Sequence, residues 1–193
     1  MPALLSVQTG FSRRVRIGER TVLTAINKQP VSGNVPVMPL GLMGDEQADL
    51  SIHGGLEKAI YAYPSEHYPF WRDLRHRAGV SMLDETLPHG TLGENLTLAG
   101  LLETEVWAGD VLQFANCVLS VTIPREPCHK FNAAMGFAQA TKLMATRGFC
   151  GFYLSVREAG FISAGEHFKL IPGRRSISIV QLFDAKMFKH LRE

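Results

Sequence analysis

One short stretch, Pro-Arg-Glu-Pro-Cys-His-Lys at residues 124–130, gathers reactive side chains around a single thiol. By residue type alone, Cys128 could be a nucleophile, a metal ligand, half of a disulfide or a small buried side chain. Arg125 and Lys130 place positive charge nearby, which favours the thiolate, the form that attacks carbon and binds metals. If the stretch is extended, His129 points to the opposite face and cannot be the general base for Cys128.

The number and spacing of the cysteines reduce the possible roles of Cys128. The chain has three cysteines at wide spacing and no Cys-x-x-Cys, so we expect a reduced, cytoplasmic protein without disulfides or a structural zinc. Cys117 and Cys150 lie in apolar runs and are predicted core residues. A cysteine hydrolase would need His53 or His89 as its base, and no Cys-Gly-Ser-Cys-Trp type signature is present.

Cations and a thiolate together suggest a cofactor. Arginine and lysine both bind phosphate, and thiolate is a soft metal ligand. Cys128 between Arg125 and Lys130 therefore describes a site for a metal cofactor that carries a phosphate.

Four further segments are richer in glycine and polar residues than plain structure needs. They are the surroundings of Lys28, residues 41–55, residues 90–97, and the turn that ends at Asp110. Within residues 41–55, three acids suit either a hard cation or an ordinary polar loop: Asp45, Glu46 and Asp49.

Two residues of these segments suit contacts with a ligand. His53 precedes two glycines, whose conformational freedom lets a backbone approach a ligand closely, although a structural histidine would look the same. Asn95 offers a donor and an acceptor that suit the edge of a heterocycle.

Charge and hydropathy exclude several classes of protein. The formal net charge is +2, so we predict no nucleic-acid partner. No run of eighteen apolar residues occurs, so we predict no membrane partner. The basic clusters at residues 11–16 and 173–176 are interpreted as solvated faces, which could also form the rim of a pocket for an anionic ligand.

Short β-type runs broken by Gly and Pro dominate the chain. The clearest predicted strand is residues 116–123, which leads into Pro124, and residues 150–171 are predicted to form a hairpin and a further strand. Helices are predicted over residues 64–79, over residues 132–148, and from Ile179 to about Leu191. A Ser-Ile-Val-Gln capping box precedes the last helix.

This order of elements predicts the fold class. Many short strands, few helices and no βαβ rhythm favour a mainly β fold, a closed or nearly closed β-barrel with a few peripheral helices and a short C-terminal helix.

Six motifs in order carry a resemblance to a known family. They are GLMGDEQAD, HGG, AIYAYPSEHYPFW, GENLT, GD and PREPC-K. Their order and separations resemble the MOSC domain family, named after the C-terminal domain of molybdenum cofactor sulfurases, in its YiiM-like branch, over about residues 5–172. The resemblance implies a MOSC-type β-barrel domain over residues 1–172. Residues 173–193 would then be a C-terminal helical extension, shorter than the family's usual three helices.

The resemblance also implies a cofactor and a ligand. The family binds molybdenum cofactor (Mo-molybdopterin), a pterin dithiolene with a terminal phosphate, and the cysteine of its PR-x-x-C motif is the protein's ligand to molybdenum. That role falls on Cys128. Arg125, Lys130 and Lys28 are then expected to neutralise the cofactor's charge. Pyridoxal phosphate stays open as another phosphate-bearing cofactor.

Further roles follow from the same resemblance. Gly93, Glu94 and Asn95 are expected to line the pterin. His53 is expected to contact the cofactor or to donate protons to substrate. Asp45 is expected to support these residues or to relay protons.

The implied function is a reductase of N-hydroxylated small molecules, such as N-hydroxylated base analogues, with Cys128 and His53 as its catalytic residues. An external redox partner would supply electrons, and the protein could form a homodimer through exposed strand edges. The alternative is a non-catalytic carrier of molybdenum cofactor or sulfur that uses Cys128 as a persulfide site.

Overall fold

A computed structural model of the chain describes residues 1–48, 54–82 and 84–190 of the 193. These ranges contain thirteen β-strands, four α-helices and three short 3₁₀ helices. The strands are β1 (Ala3–Thr9), β2 (Arg13–Ile17), β3 (Arg20–Thr24), β4 (Gln29–Pro30), β5 (Val35–Met38), β6 (Gly41–Leu42), β7 (Ile60–Pro64), β8 (Leu96–Ala99), β9 (Val111–Gln113), β10 (Val118–Pro124), β11 (Phe152–Glu158), β12 (Gly160–Ile162) and β13 (Lys169–Ile171). The α-helices are α1 (Tyr68–Arg77), α2 (His129–Met135), α3 (Ala140–Arg147) and α4 (Ile179–His190), and the 3₁₀ helices span Leu56–Lys58, Ser65–His67 and Glu103–Glu105. The expected mainly β fold with a few helices is confirmed.

Eight strands form the main sheet in the order β13-β9-β10-β11-β7-β8-β1-β4. Within it, β7 and β8 run parallel, whereas β10, β11 and β7 are antiparallel neighbours. Strands β12, β5 and β6 form a second sheet, and β2 with β3 forms a separate two-stranded hairpin. The register places Phe152 of β11 beside Pro124 of β10 and Ala62 of β7, so the start of β11 and the middle of β7 lie beside the point where residues 124–130 begin.

The two far ends of the main sheet come close without closing it. The Leu4 N–H donates to the Glu166 carbonyl over 2.8 Å, and the Gly165 N–H donates to the Leu4 carbonyl over 2.7 Å. A single bridge joins Ala3 and His167. In the part of the chain that the structure describes, β13 and β4 remain the edges of the ladder. The closed barrel therefore stays a prediction.

The core has an aliphatic and an aromatic part. Leu4 and Ile60 are fully buried in the aliphatic part against the main sheet. In the aromatic part, Trp71 of α1 meets Phe131 of α2 edge to face, with 5.3 Å between ring centroids. The Trp71 indole N–H donates to the Tyr63 hydroxyl over 2.6 Å. This packing fixes α1 and α2 on β7, next to the residues that follow β10.

The prediction of a single helix over residues 132–148 is wrong, because two helices, α2 and α3, occupy the region. Helix α2 begins earlier, at His129, and is followed by Gly136, whose φ of 80° is left-handed and ends the helix. The Asn132 side chain then accepts the Thr141 N–H over 2.7 Å and ties the start of α3 to α2.

The predicted hairpin after Cys150 is also wrong. Strand β11 pairs with β10 and β7, whereas β12 pairs with β5 in the second sheet. A Cβ atom on Gly160 would lie only 1.8 Å from the Asn116 carbonyl oxygen. The chain therefore passes directly over that backbone as it leaves one sheet for the other.

The predicted C-terminal helix and its capping box are confirmed in α4. The Ser178 hydroxyl accepts the Gln181 N–H over 3.1 Å, and the Gln181 side chain accepts the Ser178 N–H over 2.9 Å. Ile179 and Phe183 are buried in the aliphatic and aromatic parts of the core. The domain boundary near residue 172 stays a prediction. None of the helices in the described ranges is long and apolar enough to cross a bilayer.

Candidate functional site

Cys128 lies between the end of β10 in the main sheet and the start of α2. Its backbone is extended, with φ −131° and ψ 158°, immediately before the helix. Its carbonyl accepts the Phe131 N–H over 2.9 Å and the Thr141 hydroxyl over 3.1 Å. The Cys128 backbone is thus held from two helices, and the residue lines a cleft on the surface.

This cleft, called the site cleft below, brings together residues that are distant in sequence. Seven of the nine residues expected at the cofactor site line it: Lys28, Asp45, Gly93, Asn95, Arg125, Cys128 and Lys130. The remaining lining comes from Thr24, Ala25, Ile26, Glu46, Gln47, Ala48, Lys58, Tyr61 and Tyr153. The lining holds four cationic and two anionic side chains, so its described part attracts anions.

Lys28 and Asp45 form a buried ion pair in the wall of the site cleft. Their side chains are 8% and 4% exposed, and the Lys28 ammonium donates to Asp45 Oδ1. The same oxygen accepts the Gly10 N–H over 2.8 Å. Burial lowers the pKa of Lys28, and the attraction of Asp45 opposes that shift.

Asn95 extends this pair into the main sheet. Its amide donates to Asp45 Oδ2 over 2.9 Å and to the Gln8 carbonyl over 3.2 Å. Its side-chain oxygen accepts the Tyr61 N–H over 3.0 Å. Both amide hydrogens are thus engaged inside the protein, and Asn95 braces Asp45. The expected contact between Asn95 and a pterin stays a prediction.

Arg125 is a buried cation between two aromatic rings. It is 5% exposed, and its guanidinium carbon lies 5.0 Å from the Tyr61 ring centroid and 5.1 Å from that of Phe131. Burial lowers its pKa, but the interactions with Tyr61, Cys128 and Tyr153 together outweigh burial and leave the pKa raised. Arg125 therefore remains a permanent positive charge within electrostatic range of the Cys128 thiol.

Two lysines add charge nearer to solvent. The Lys130 ammonium donates to the Leu23 carbonyl over 3.0 Å and so joins the start of α2 to β3. The Lys58 ammonium lies 6.0 Å from the centroid of the Tyr153 ring. Both are half-buried, as is usual for lysines whose stems cover apolar surface while their heads meet water or an anion.

Glu94 is not among the residues that line the site cleft, and its expected contact with a pterin stays a prediction. It is fully buried, and Oε1 accepts the Gly90 N–H over 2.7 Å, the Thr97 hydroxyl over 3.1 Å and the Tyr68 hydroxyl. Burial raises its pKa, although these hydrogen bonds act in the opposite direction. Its neighbour Gly93, at φ +89°, does line the cleft, and a Cβ atom there would meet Ile26 at 2.9 Å.

Several residues expected at the site are not described or lie elsewhere. His53 and Asp49 fall outside the described residues, so their predicted roles stay predictions. Glu46, which lines the cleft, accepts the Ser12 N–H over 2.8 Å. His89 contacts the Tyr68 ring, with 5.0 Å between ring centroids. Within the described part of the chain, no group of three His, Cys, Asp or Glu side chains could hold a metal ion.

Asp110 is a structural anchor away from the site cleft. It is fully buried and accepts the Gly173 N–H over 2.7 Å and the Trp107 N–H over 3.1 Å. Arg175 donates to both of its carboxylate oxygens, over 3.2 and 3.3 Å. These bonds hold the segment before α4 against the turn before β9.

The other two cysteines are core residues, as predicted. Cys117 is 3% and Cys150 is 1% exposed. Burial raises the pKa of Cys117 to about 12, and burial raises that of Cys150 well above its ordinary value. Both therefore remain thiols near neutral pH and are poor nucleophiles and ligands. Cys128 alone of the three lines the site cleft.

Sequence reasoning missed Lys58, Tyr61 and Tyr153. Tyr61 and Tyr153 are paired across β7 and β11, and their ring centroids lie 5.4 Å apart. Tyr61 also donates its hydroxyl to the Cys150 carbonyl over 2.8 Å. Their contribution depends on which strands pair, and the only sequence signal was the AIYAY motif that contains Tyr61.

Comparison with known proteins matches this architecture. The model of the MOSC domain family matches residues 49–169. Protein YiiM of Escherichia coli (strain K12) is 36% identical over 157 residues, which is 81% of this chain and 67% of that protein. The crystal structure of YiiM from Geobacillus stearothermophilus is 29% identical and has a TM-score of 0.76, over 98% of this chain and 85% of that one.

A third similar protein is larger. A protein of Gibberella moniliformis (strain M3125 / FGSC 7600) named Reductase is 32% identical over 169 residues, which is 87% of this chain and 29% of that protein. Most of the length of that reductase thus lies outside the matched part.

Proposed function

Because the chain belongs to the MOSC domain family, in its YiiM-like branch, we propose that it is a molybdenum-cofactor-dependent reductase of N-hydroxylated compounds. The observation that carries the proposal is that one thiol and four cations line the same cleft: Cys128, Lys28, Lys58, Arg125 and Lys130. The name of the Gibberella relative supports the reaction class.

The donor set of the site cleft fits molybdenum cofactor. The cofactor is anionic at its phosphate and its dithiolene, and the described lining carries more positive than negative charge. A soft metal that already has sulfur ligands prefers a further thiolate to oxygen ligands. Cys128 is the thiol that meets this need, because Cys117 and Cys150 are buried and their pKa values are raised.

Each lining residue has a proposed task. Cys128 would supply the thiolate ligand, and Arg125, buried beside it, would favour that thiolate by its permanent charge. Lys130 and Lys28 would bind the anionic groups of the cofactor. Gly93, which places backbone at the wall, would contact the pterin.

When bound, the cofactor supplies a metal that can pass two electrons to a substrate. The overall reaction is R–NHOH + 2 e⁻ + 2 H⁺ → R–NH₂ + H₂O, in which the N–O bond breaks and the oxygen leaves as water. The chain must therefore provide two protons at the cleft. Lys28 is proposed to hold one at Nζ in the wall of the cleft, where burial lowers its pKa and Asp45 opposes that shift. His53, outside the described residues, is proposed as a second proton donor.

An activity assay tests the proposal. Protein purified from a host that makes molybdenum cofactor is supplied with dithionite-reduced methyl viologen and an N-hydroxylated base analogue, and formation of the amino compound is measured. We expect turnover by the wild-type chain, and a loss of at least about a hundredfold in Cys128→Ala. Cys117→Ala, which removes a buried thiol outside the cleft, is the matched control and should keep its activity.

Two outcomes would redirect the proposal. Molybdenum bound without reduction of any N-hydroxylated compound would favour the alternative, a carrier of cofactor or sulfur that uses Cys128 as a persulfide site. Full activity in Cys128→Ala would contradict the role given to this residue in either function.

A further inference from the structure

The hairpin β2–β3 presents one face that nothing in the described chain covers. Strand pairing places Arg14 opposite Leu23 and Arg16 opposite Thr21. Because side chains alternate along a strand, these four share one side of the hairpin, and all four are exposed. They are called the outer face below.

The other side of the hairpin faces the body of the protein. It carries Val15 and Val22, which pair with each other and are half-buried, and Thr24, which is 5% exposed. Arg13 and Arg20 lie on this side as well, at the two ends of the hairpin, and are exposed. Thr24 also lines the site cleft. The outer face is thus the far side of a two-stranded wall whose inner side borders the cleft.

The outer face is connected to the site around Cys128 by one hydrogen bond. Lys130, two residues after Cys128, donates to the carbonyl of Leu23, and Leu23 is itself 47% exposed on the outer face. A protein that covers this face would lie against the strand whose Leu23 carbonyl accepts the Lys130 hydrogen bond, on the side away from the cleft.

The chemistry of the outer face is positive with an apolar patch. Arg14 and Arg16 supply two charges on one side of the hairpin, and Leu23 supplies the apolar surface beside them. Arginine is enriched at protein-binding surfaces relative to the rest of a protein's surface.

The proposed reaction requires a source of electrons. An iron–sulfur cluster bound by these 193 residues cannot be that source. Such clusters need about four cysteine ligands. The chain has three cysteines in all, two of them buried in the core.

We propose that the outer face of the β2–β3 hairpin docks a small acidic electron-transfer protein, which delivers electrons to the site cleft. This inference rests on the proposed function. Encounters of redox proteins are small and transient, and opposite charge raises their association rate in a manner that salt suppresses. Two arginines around Leu23 suit such an encounter.

The experiment compares two electron donors. Reduction of the N-hydroxylated base analogue is measured with a reduced acidic [2Fe–2S] ferredoxin and, separately, with reduced methyl viologen, a small dye that needs no docking surface. Arg14→Glu should lower kcat/KM with ferredoxin about fivefold, and Arg14→Glu/Arg16→Glu about twentyfold or more. Neither variant should change the rate with methyl viologen by more than about twofold.

A matched control makes the same charge change at a position outside the hairpin. Arg157, exposed near the end of β11, lies away from the Pro124 end of the neighbouring strand. Arg157→Glu makes the same change as Arg14→Glu and should keep its ferredoxin rate within about twofold. Raising the salt from about 0.05 to 0.5 M should slow the wild-type ferredoxin reaction and leave the double variant nearly unaffected.

Each remaining outcome decides the question. An unchanged ferredoxin rate in Arg14→Glu/Arg16→Glu, or an equal loss with methyl viologen, overturns the docking surface. Competition by a single-stranded oligonucleotide with ferredoxin would assign the face to nucleic acid instead. If the wild-type chain shows no turnover with methyl viologen, the proposed function fails. Ferredoxin binding is then measured directly by calorimetry, and binding that the double variant does not lose overturns the inference separately.

Discussion

Replacing Asp45 by alanine would leave a buried lysine without its counterion. The side chains of Lys28 and Asp45 are 8% and 4% exposed, so this pair is a buried ion pair, for which loss of one partner costs about 3–5 kcal/mol. The Gly10 N–H and one amide hydrogen of Asn95 would also lose their acceptor. Asp45→Ala is therefore expected to lower the free energy of unfolding by about 4 kcal/mol.

Deprotonation of Lys28 limits how much the loss of its counterion can cost. Lys28 can avoid burying a charge by releasing its proton, and from an ordinary pKa of about 10.4 this costs about 4.6 kcal/mol at pH 7. In the variant the pKa of Lys28 lies below its unfolded value, so the unfolded chain binds more protons than the folded one. Stability should therefore rise with pH, and much of the loss should be recovered toward pH 9–10.

Urea unfolding at pH 7 and pH 9.5 measures both effects. Glu46→Ala is the matched control, because Glu46 is an exposed neighbouring carboxylate that accepts one backbone N–H. It should cost no more than about 1 kcal/mol, with no recovery at high pH. A loss below about 1 kcal/mol in Asp45→Ala, equal at the two pH values, would refute the buried-pair reasoning, since that is how an exposed pair behaves.

Three further predictions concern stability. Burial raises the pKa of Glu94 above its unfolded value of about 4.3, so the folded chain holds this proton after the unfolded chain has lost it. The free energy of unfolding should therefore fall as the pH rises from about 4.3 through the folded pKa, and Glu94→Gln should flatten that fall in urea titrations. Gly151→Ala should cost about 2–5 kcal/mol by thermal unfolding, because φ is +62° and a Cβ atom would lie 2.4 Å from the Ala62 carbonyl oxygen. An unchanged melting temperature would contradict that crowding. Ser178→Ala should cost about 1 kcal/mol by removing the cap of α4, and a restored value in Ser178→Asp would show that capping is the cause.

The elements most readable from the sequence were those with strong local signals. The apolar run that ends at Pro124 became β10, and the capping box of Ser178 and Gln181 became the start of α4. The prediction of one helix over residues 132–148 failed because Gly136 adopts a left-handed conformation that ends α2. The sequence does not show this break, because a glycine inside an apolar helical pattern does not reveal its φ angle.

The site was predictable in part for a different reason. Lys28, Asp45 and Cys128 stand out by residue type and by the ordered motifs around them. Their partners do not, because the contribution of Tyr61 and Tyr153 depends on which strands become neighbours, and pairing over about ninety residues leaves no local pattern. Asp45 was open to several roles until its bonds to Lys28, Gly10 and Asn95 showed that it braces the wall of the cleft.

If Cys128 holds molybdenum cofactor in the site cleft, the molybdenum content of the purified protein must depend on this one thiol. Wild type, Cys128→Ala and Cys117→Ala are purified side by side from the same cofactor-producing cells and analysed by inductively coupled plasma mass spectrometry. We expect about one molybdenum per chain in wild type and Cys117→Ala and less than about a tenth of that in Cys128→Ala. Molybdenum retained in full by Cys128→Ala, or absent from all three, would contradict that role of Cys128.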